Sequence, residues 1–407
     1  MTKRILYLKT ASALVALAVL SAHGQIDPEP RQLLHLGLNQ SLHDDGPGAA
    51  YAFFYWNMPN VPSTNQTLRL TIAPVYVDSE LAFKALLGDN TDLGVGLFGG
   101  AFANRYEEVR QGDFLRDESF DGHGGGVNVS LYHLCNPTAQ IPLHGLLRVG
   151  ADYRAYEDTD DTGETFELPD NQPFLHLRAG FRWGGSEPVL RPRLAMEVSA
   201  WYELEHRTDA GRYGFADDRE LEPTSHRFLG RAQLNWTLPE SEHYIWIGMM
   251  GGSVIDADRL SAYRLGGALP FTSEFPLYIP GYFYQELSTE NFGLVYGSYS
   301  IPFGASKQWN VTIGAATALV DYVDALEQPG NWHSGFNGGI GYTAKERRWR
   351  VLTAYGYGVD AIRSDGRGGH NVALIFQYNF GHTTFASDRA FEALIGARAP
   401  ARGALRR

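Results

Sequence analysis

The sequence carries a single cysteine, Cys135. One thiol cannot build an intrachain disulfide framework. Cys135 reads as a small apolar filler on a strand. No stretch stays apolar over the roughly 20 residues that a membrane-spanning helix needs. Zinc-ligand spacing is missing, and so is a glycine loop that could cradle phosphate. No cofactor and no metal is therefore expected. Positive charge is in short supply as well: 34 Lys and Arg stand against 46 Asp and Glu, a formal net charge of −12. That balance argues against nucleic acid as a partner.

What is present points to export. Lys3, Arg4 and Lys9 precede an apolar run from Thr10 to Leu20, and Ser21-Ala22-His23-Gly24 follows. A basic start, a short apolar core and small residues before a break make a secretory signal peptide. Cleavage is expected after Gly24, leaving a barrel domain over 25–382 and a short basic periplasmic tail over 383–407. Loss of the three positives takes the net charge to −15, so the exported chain is more acidic still. Aromatics make up 13% of the chain and glycines number 46. An exported chain with no disulfide framework and this composition fits a barrel, whose closed hydrogen-bond ladder replaces cross-links.

Alternation supplies the strands. In Leu175-Leu177-Ala179-Phe181 the odd positions are apolar, while His176, Arg178 and Arg182 take the other face. Val372-Leu374-Phe376-Tyr378-Phe380 repeats the pattern. A transmembrane barrel strand greases one face for lipid and wets or shrinks the other for the lumen. Sixteen such segments are predicted, near 31–40, 50–58, 67–76, 79–88, 93–106, 123–135, 143–157, 173–184, 190–205, 225–238, 243–256, 290–302, 308–321, 333–343, 347–360 and 369–380. The first and fourth are the least regular.

The connections keep a rhythm. Pro59–Gln66, Asp89–Asp92, Asn136–Pro142, Gly185–Val189, Pro239–Glu242, Phe303–Lys307 and Ala344–Glu346 are short and read as periplasmic turns. Glu107–Gly122, Asp158–Gln172, Thr208–Thr224, Ala257–Thr289 and Tyr322–Trp332 are long and polar and read as outward loops. Short alternating with long is the pattern of an outer-membrane barrel with both ends in the periplasm. The one outward link that breaks it is Val77-Asp78. No domain is expected before the first strand. Outer-membrane lipid and lipopolysaccharide follow as surroundings.

The longest connection is unusual. It runs Tyr263-Arg264-Leu265-Gly266-Gly267, then Pro276-Leu277-Tyr278-Ile279-Pro280-Gly281-Tyr282-Phe283-Tyr284-Gln285-Glu286-Leu287-Ser288. So apolar a loop in water would be an aggregation liability, and folding it into the lumen removes the problem. Gly266, Gly267 and Gly281 permit tight backbone there, and Pro280 stiffens the tip.

At these residues the chain resembles the BamA/TamA outer-membrane assembly and translocation superfamily, the bacterial surface antigen family. Gly266-Gly267 and Gly281-Tyr282 are similar to two elements of that family's sixth extracellular loop, and Asp321 in Ala318-Leu319-Val320-Asp321-Tyr322 is similar to its strand-thirteen aspartate. The Gly-rich run from Gly335 to Tyr342 fits the strand that follows. The resemblance spans about Tyr263 to Phe380. It implies sixteen strands, with this loop between the eleventh and twelfth and inside the lumen. It also implies a role in protein or lipid translocation or insertion, with a weak seam between the first and last strands, and assembly by the barrel machinery, whose recognition signal the strand ending at Phe380 resembles. The family's tip arginine is replaced by Pro280, and no counterpart of its periplasmic POTRA domains is expected. Its buried Arg–Asp contact therefore needs a substitute, for which Arg264 and the Tyr282 hydroxyl are candidates.

Two other readings stay open. One is a porin-like passive channel with a constriction loop. The other is a rim enzyme acting on lipid, built on His333 and Ser334 or on Glu203, Glu205 and His206. Adjacent strand residues face opposite sides, so His333 and Ser334 cannot pair, and no catalytic set is expected. The acidic run Glu157, Asp158, Asp160, Asp161, Glu164, Glu167 and Asp170 lacks the spacing of a calcium loop and reads as a solvated face.

Overall fold

The structure, a computed structural model, describes residues 29–139, 141–185 and 189–381. The expected signal peptide and basic tail lie outside the described residues. Among the described residues, sixteen long strands form one antiparallel barrel. They are β1 (Arg31–Ser41), β2 (Ala49–Pro59), β3 (Gln66–Ala73), β4 (Tyr76–Phe83), β5 (Thr91–Gly100), β6 (Asp113–Leu134), β7 (Leu143–Glu157) and β8 (Gln172–Gly185). The second half comprises β9 (Leu194–Arg207), β10 (Thr224–Thr237), β11 (Tyr244–Ile255), β12 (Leu287–Phe303), β13 (Trp309–Tyr322), β14 (Trp332–Thr343), β15 (Trp349–Arg363) and β16 (Gly366–Asn379). Each strand pairs with the next, and β1 pairs with β16 from Leu33↔Asn379 to Ser41↔Asn371, which closes the ring. Closure leaves no edge strand to template unwanted pairing.

The two faces of the wall differ as the alternation requires. Leu97, Val127, Val149, Leu175, Ile247, Ile313, Phe336 and Leu374 all point outward and are exposed. Such a belt is favourable only against lipid. Near the short turns Trp309 packs on Tyr342, Tyr342 on Trp349, and Tyr378 on Phe380, the start of an aromatic girdle at one interface. The inner face carries Glu80, Asp152, Arg178, Glu197, Glu205 and Arg231 among small and aromatic residues. Among the described residues, no helix is long and apolar enough to cross a membrane.

Three expectations are corrected. Glu107–Gly122 is not a plain loop: β6 starts at Asp113, and Tyr106–Arg110 pairs with its outer part. The fourth strand runs Tyr76–Phe83 rather than 79–88, and the link before it is Pro74-Val75 rather than Val77-Asp78. The translocation reading would leave a weak seam between first and last strands. Instead β1 meets β16 over nine residue pairs, as many as it shares with β2. The bonds Phe380 N–H to Gln32 O and Leu42 N–H to His370 O extend that seam at both ends.

Candidate functional site

The connection from β11 to β12 turns back into the barrel. Its arms pair through Tyr263–Leu265 with Leu287–Thr289, extending the β12 ladder. Gly266 then folds the segment on itself, donating to Leu277 O and accepting from the Ile279 amide. Gly267 N–H bonds Phe283 O, and its own carbonyl accepts from the Asn39 side chain of β1 at 2.6 Å. Leu265, Ile279, Tyr282, Phe283 and Leu287 are all essentially buried. Leu265, Ile279, Tyr282 and Leu287 pack with Trp201, Leu229, Leu294, Tyr296, Ala316, Ala318 and Val320, which face inward from β9, β10, β12 and β13. Each such burial is worth about 1.5–3 kcal/mol, enough to outweigh a solvated loop.

The tip lies in a groove made by absent side chains. Gly335 of β14, Gly358 of β15 and Gly369 of β16 all face inward. A Cβ at Gly335 would sit 2.2 Å from Pro280 O, and one at Gly369 would sit 2.2 Å from Gly281 O. Gly281 has φ +82, and its own Cβ would fall 1.8 Å from Gly358 N. The Tyr282 hydroxyl bonds His333 Nδ1 at 2.9 Å, and the other His333 nitrogen bonds the Tyr322 hydroxyl. Burial pushes the Tyr282 hydroxyl well above its ordinary range, so it stays neutral.

One buried ion pair secures this tip. Arg363 Nη1 and Nη2 donate to the two Glu286 carboxylate oxygens at 2.9 and 3.0 Å, and both side chains are fully buried. Arg363 also donates to Gly281 O at 3.1 Å and lies over the Phe283 ring at 3.7 Å. Glu286 accepts in turn from the Phe283 amide. A bulge in β15 between Gly358 and Ile362 aims Arg363 inward. Gly356 and Gly358 face the lumen, and after the bulge Ala361 and Arg363 do. A β-bulge commonly re-aims a side chain in this way.

The residues singled out from sequence divide accordingly. Gly266, Gly267, Pro280, Gly281 and Tyr282 come together at the folded loop. Arg264 does not serve the tip: it bonds Glu107 O and lies over the Tyr106 ring at 4.7 Å. Asp321 is exposed on the outward face with Leu319 and accepts from Asn291 at 3.1 Å. It therefore does not receive the loop, because strand parity turns it away from the lumen. The acid sits on the loop and the arginine on a strand, the reverse of the resemblance. Sequence reasoning missed Glu286, Arg363 and the glycine groove. The visible signal was a parity break, inward glycines at 356 and 358 followed by an arginine at 363.

The rim residues are otherwise engaged. Ser334 bonds Thr317 on the outer face, and His206 bonds Thr224. Glu203 faces Arg178 and Arg227, while Glu205 faces Arg154 and Arg207. No serine bonds a histidine in either group. Among the described residues no cluster of three or more His, Cys, Asp or Glu side chains could hold a metal ion.

A short turn also enters the lumen, from the opposite end. Val189 and Leu190, between β8 and β9, are buried; Val189 packs with Leu33, and Leu190 belongs to one cluster with Leu269 of the loop, Ala373 and Ile375. Arg191 reaches across to Asn310 and Thr312 of β13, and its carbonyl accepts from Arg347 and Arg350. Loop and turn thus share one apolar cluster inside the barrel.

Comparisons with known proteins find fold alone. No family model matches the sequence, and no curated protein does. Solved outer-membrane barrels are similar, three of them as follows. "CdiB from Acinetobacter baumannii" has a TM-score of 0.55 at 12% identity over 86% of this chain, which spans 60% of that chain. BamA from Haemophilus ducreyi lacking POTRA domains 1-3 has a TM-score of 0.54 at 8% identity over 86% of this chain and 70% of that one. "CdiB from Escherichia coli" has 0.54 at 11% identity over 87% of this chain and 63% of that one. The chain thus spans under two thirds of either CdiB. Its fold is that of a BamA-like outer-membrane barrel.

Proposed function

We propose that this barrel acts in the translocation or insertion of protein or lipid at the outer membrane, with a lumen closed at rest. The observation that carries the reading is the loop secured inside the barrel by Glu286 and Arg363, both fully buried. A passive solute pore gains nothing from so costly a buried pair, which leaves an uncompensated charge if half-made. The loop and the 189–193 turn enter the lumen from opposite ends, as suits a barrel that opens only when engaged. The BamA-like fold agrees with this. The porin-like alternative draws on the charged inner wall, where Glu80 of β4, Arg148 and Arg154 of β7 and Glu205 of β9 pair across the lumen face.

Single-channel conductance in planar bilayers separates the two. Translocation by a closed barrel predicts little steady conductance from the intact protein and frequent openings once Pro276–Ser288 is deleted. Large steady conductance that survives the deletion unchanged would favour the passive channel and end the first reading.

A further inference from the structure

The middle of the same loop rests on a second surface that the tip does not explain. Gly180 of β8 leaves a bay, since a Cβ there would lie 2.5 Å from Trp201 Cε3. Trp201 of β9 fills the bay and lies against the wall. Arg178 and Arg182 flank Gly180 and stand over the indole at 4.3 and 5.0 Å. Arg231 of β10 comes in from the side. On this platform sits the loop dipeptide Glu274-Phe275. Arg178 donates to one Glu274 carboxylate oxygen at 2.7 Å, and Arg182 donates to the other. Arg231 donates to the Glu274 carbonyl at 2.8 Å. The Phe275 ring is covered by Arg231 at 4.4 Å and packs on Trp201 at 6.1 Å.

The charges show that the occupant matters. Three guanidiniums face two wall carboxylates: Glu197 holds Arg182 and Arg231, and Glu203 is divided between Arg178 and Arg227. Glu274 supplies the missing negative charge. Its side chain is still 39% exposed, so water reaches this contact as it does not reach Glu286. Buried Arg178 Nη2 keeps a donor with no hydrogen-bond partner among the described residues. A planar guanidinium pair over an indole recognises a carboxylate and a ring together.

We propose that Arg178, Arg182, Arg231 and Trp201 form a binding site for a client polypeptide segment that presents a carboxylate beside an aromatic ring, and that Glu274-Phe275 is the chain's own occupant. The idea rests on the translocation reading above. It adds what such a client must display in order to displace the loop. Binding is an exchange of one Glu-Phe pair for another on the same platform, and it frees the middle of the loop while the tip stays seated.

The test uses the full-length barrel refolded in detergent, with folding checked by its heat-modifiable mobility on gels. The probe is a fluorescein-labelled peptide of sequence Thr-Ser-Glu-Phe-Pro, and the readout is anisotropy. A Glu274→Ala, Phe275→Ala variant is expected to bind the peptide at least about tenfold more tightly than the intact protein, whose site is self-occupied. Adding Arg178→Ala, or replacing the peptide glutamate by glutamine, should abolish the gain. About 1 M salt, where screening acts within about 3 Å, should weaken it. Glu274→Gln alone provides a milder vacancy if the double variant does not fold. A folded, vacated barrel that ignores the peptide would overturn the proposal. So would equal binding of the Glu and Gln peptides. Displacement by anionic lipid micelles as effective as by unlabelled peptide would assign the site to lipid headgroups and overturn it too. The conductance experiment is independent: an open resting pore would defeat the translocation reading whatever the peptide does.

Discussion

The loop between β11 and β12 is held at two places of opposite character. At the tip, Glu286 and Arg363 meet with no exposure, backbone lies against backbone in a glycine groove, and Tyr282 is hydrogen-bonded on the far side. In the middle, Glu274 meets Arg178 and Arg182 with water at hand. A dry contact is strong because breaking it strands a charge. A wet contact is weak because solvent replaces either partner. The loop is therefore fixed at one end and exchangeable at the other, which suits an element that must yield to something and then return.

The largest effect that could break this comparison is at the dry end. Arg363→Ala should cost about 3–5 kcal/mol, since it leaves Glu286 buried and unpaired. It should also render the loop sensitive to added protease in folded, membrane-embedded protein. A variant as resistant as the parent would show that the pair does not hold the tip.

Next comes the groove. Gly358→Ala adds a Cβ 2.9 Å from the Tyr282 ring and 3.1 Å from Pro280 O, and overpacking of this kind costs about 1–3 kcal/mol. Gly293→Ala on β12 meets nothing within 4 Å and should be near neutral. Urea midpoints of the folded barrels in detergent compare the two directly. Equal midpoints would mean that the groove does not seat the tip.

The wet end should respond least to mutation. Glu274→Gln should change stability by under about 1 kcal/mol, with the change shrinking as salt is added. A loss as large as that from Arg363→Ala would erase the distinction.

The smallest effect is in pH. Burial alone would raise the Glu274 carboxyl, but the Arg178 and Arg182 guanidiniums outweigh this and hold it well below its ordinary value of 4.5. A depressed carboxylate contributes stability above its unfolded value and loses it as pH falls through the folded one. The Glu274 contact should thus be flat from about pH 8 to 5 and fade only in stronger acid. A parent-minus-Glu274→Gln difference in urea midpoint that changed near pH 6 would contradict this.

The sequence disclosed the barrel because lipid and lumen impose opposite demands on neighbouring residues. Leu175 to Phe181 could only be one strand with a greasy side, and β7 was bounded correctly at 143–157. The inward loop was legible for the same reason: Tyr278, Ile279, Tyr282 and Phe283 had to leave water. The fastening was not. Asp321 sits at a plausible position in a plausible strand, and only parity, set by the register with β12, turns it outward. Arg363 is aimed inward by a bulge whose trace in the sequence, a break in parity after Gly358, reads equally as the end of the strand at 360. Gly185–Val189 reads as a short turn and 190–205 as a strand, yet β9 starts only at Leu194, and Val189 and Leu190 are drawn in by apolar partners distant in sequence, which local patterning does not encode.

The central claim is that the tip of the loop rests inside the barrel against β14. Tyr282 and His333 report on it directly, their rings being 5.6 Å apart. With Cys135 changed to Ala, a Tyr282→Cys, His333→Cys variant in isolated outer membranes should be joined intramolecularly by a short, membrane-permeant bifunctional thiol reagent that spans the space the two rings fill. Both thiols should resist a bulky, membrane-impermeant maleimide. If no cross-link forms and both thiols label freely, the loop lies outside the lumen and the account fails.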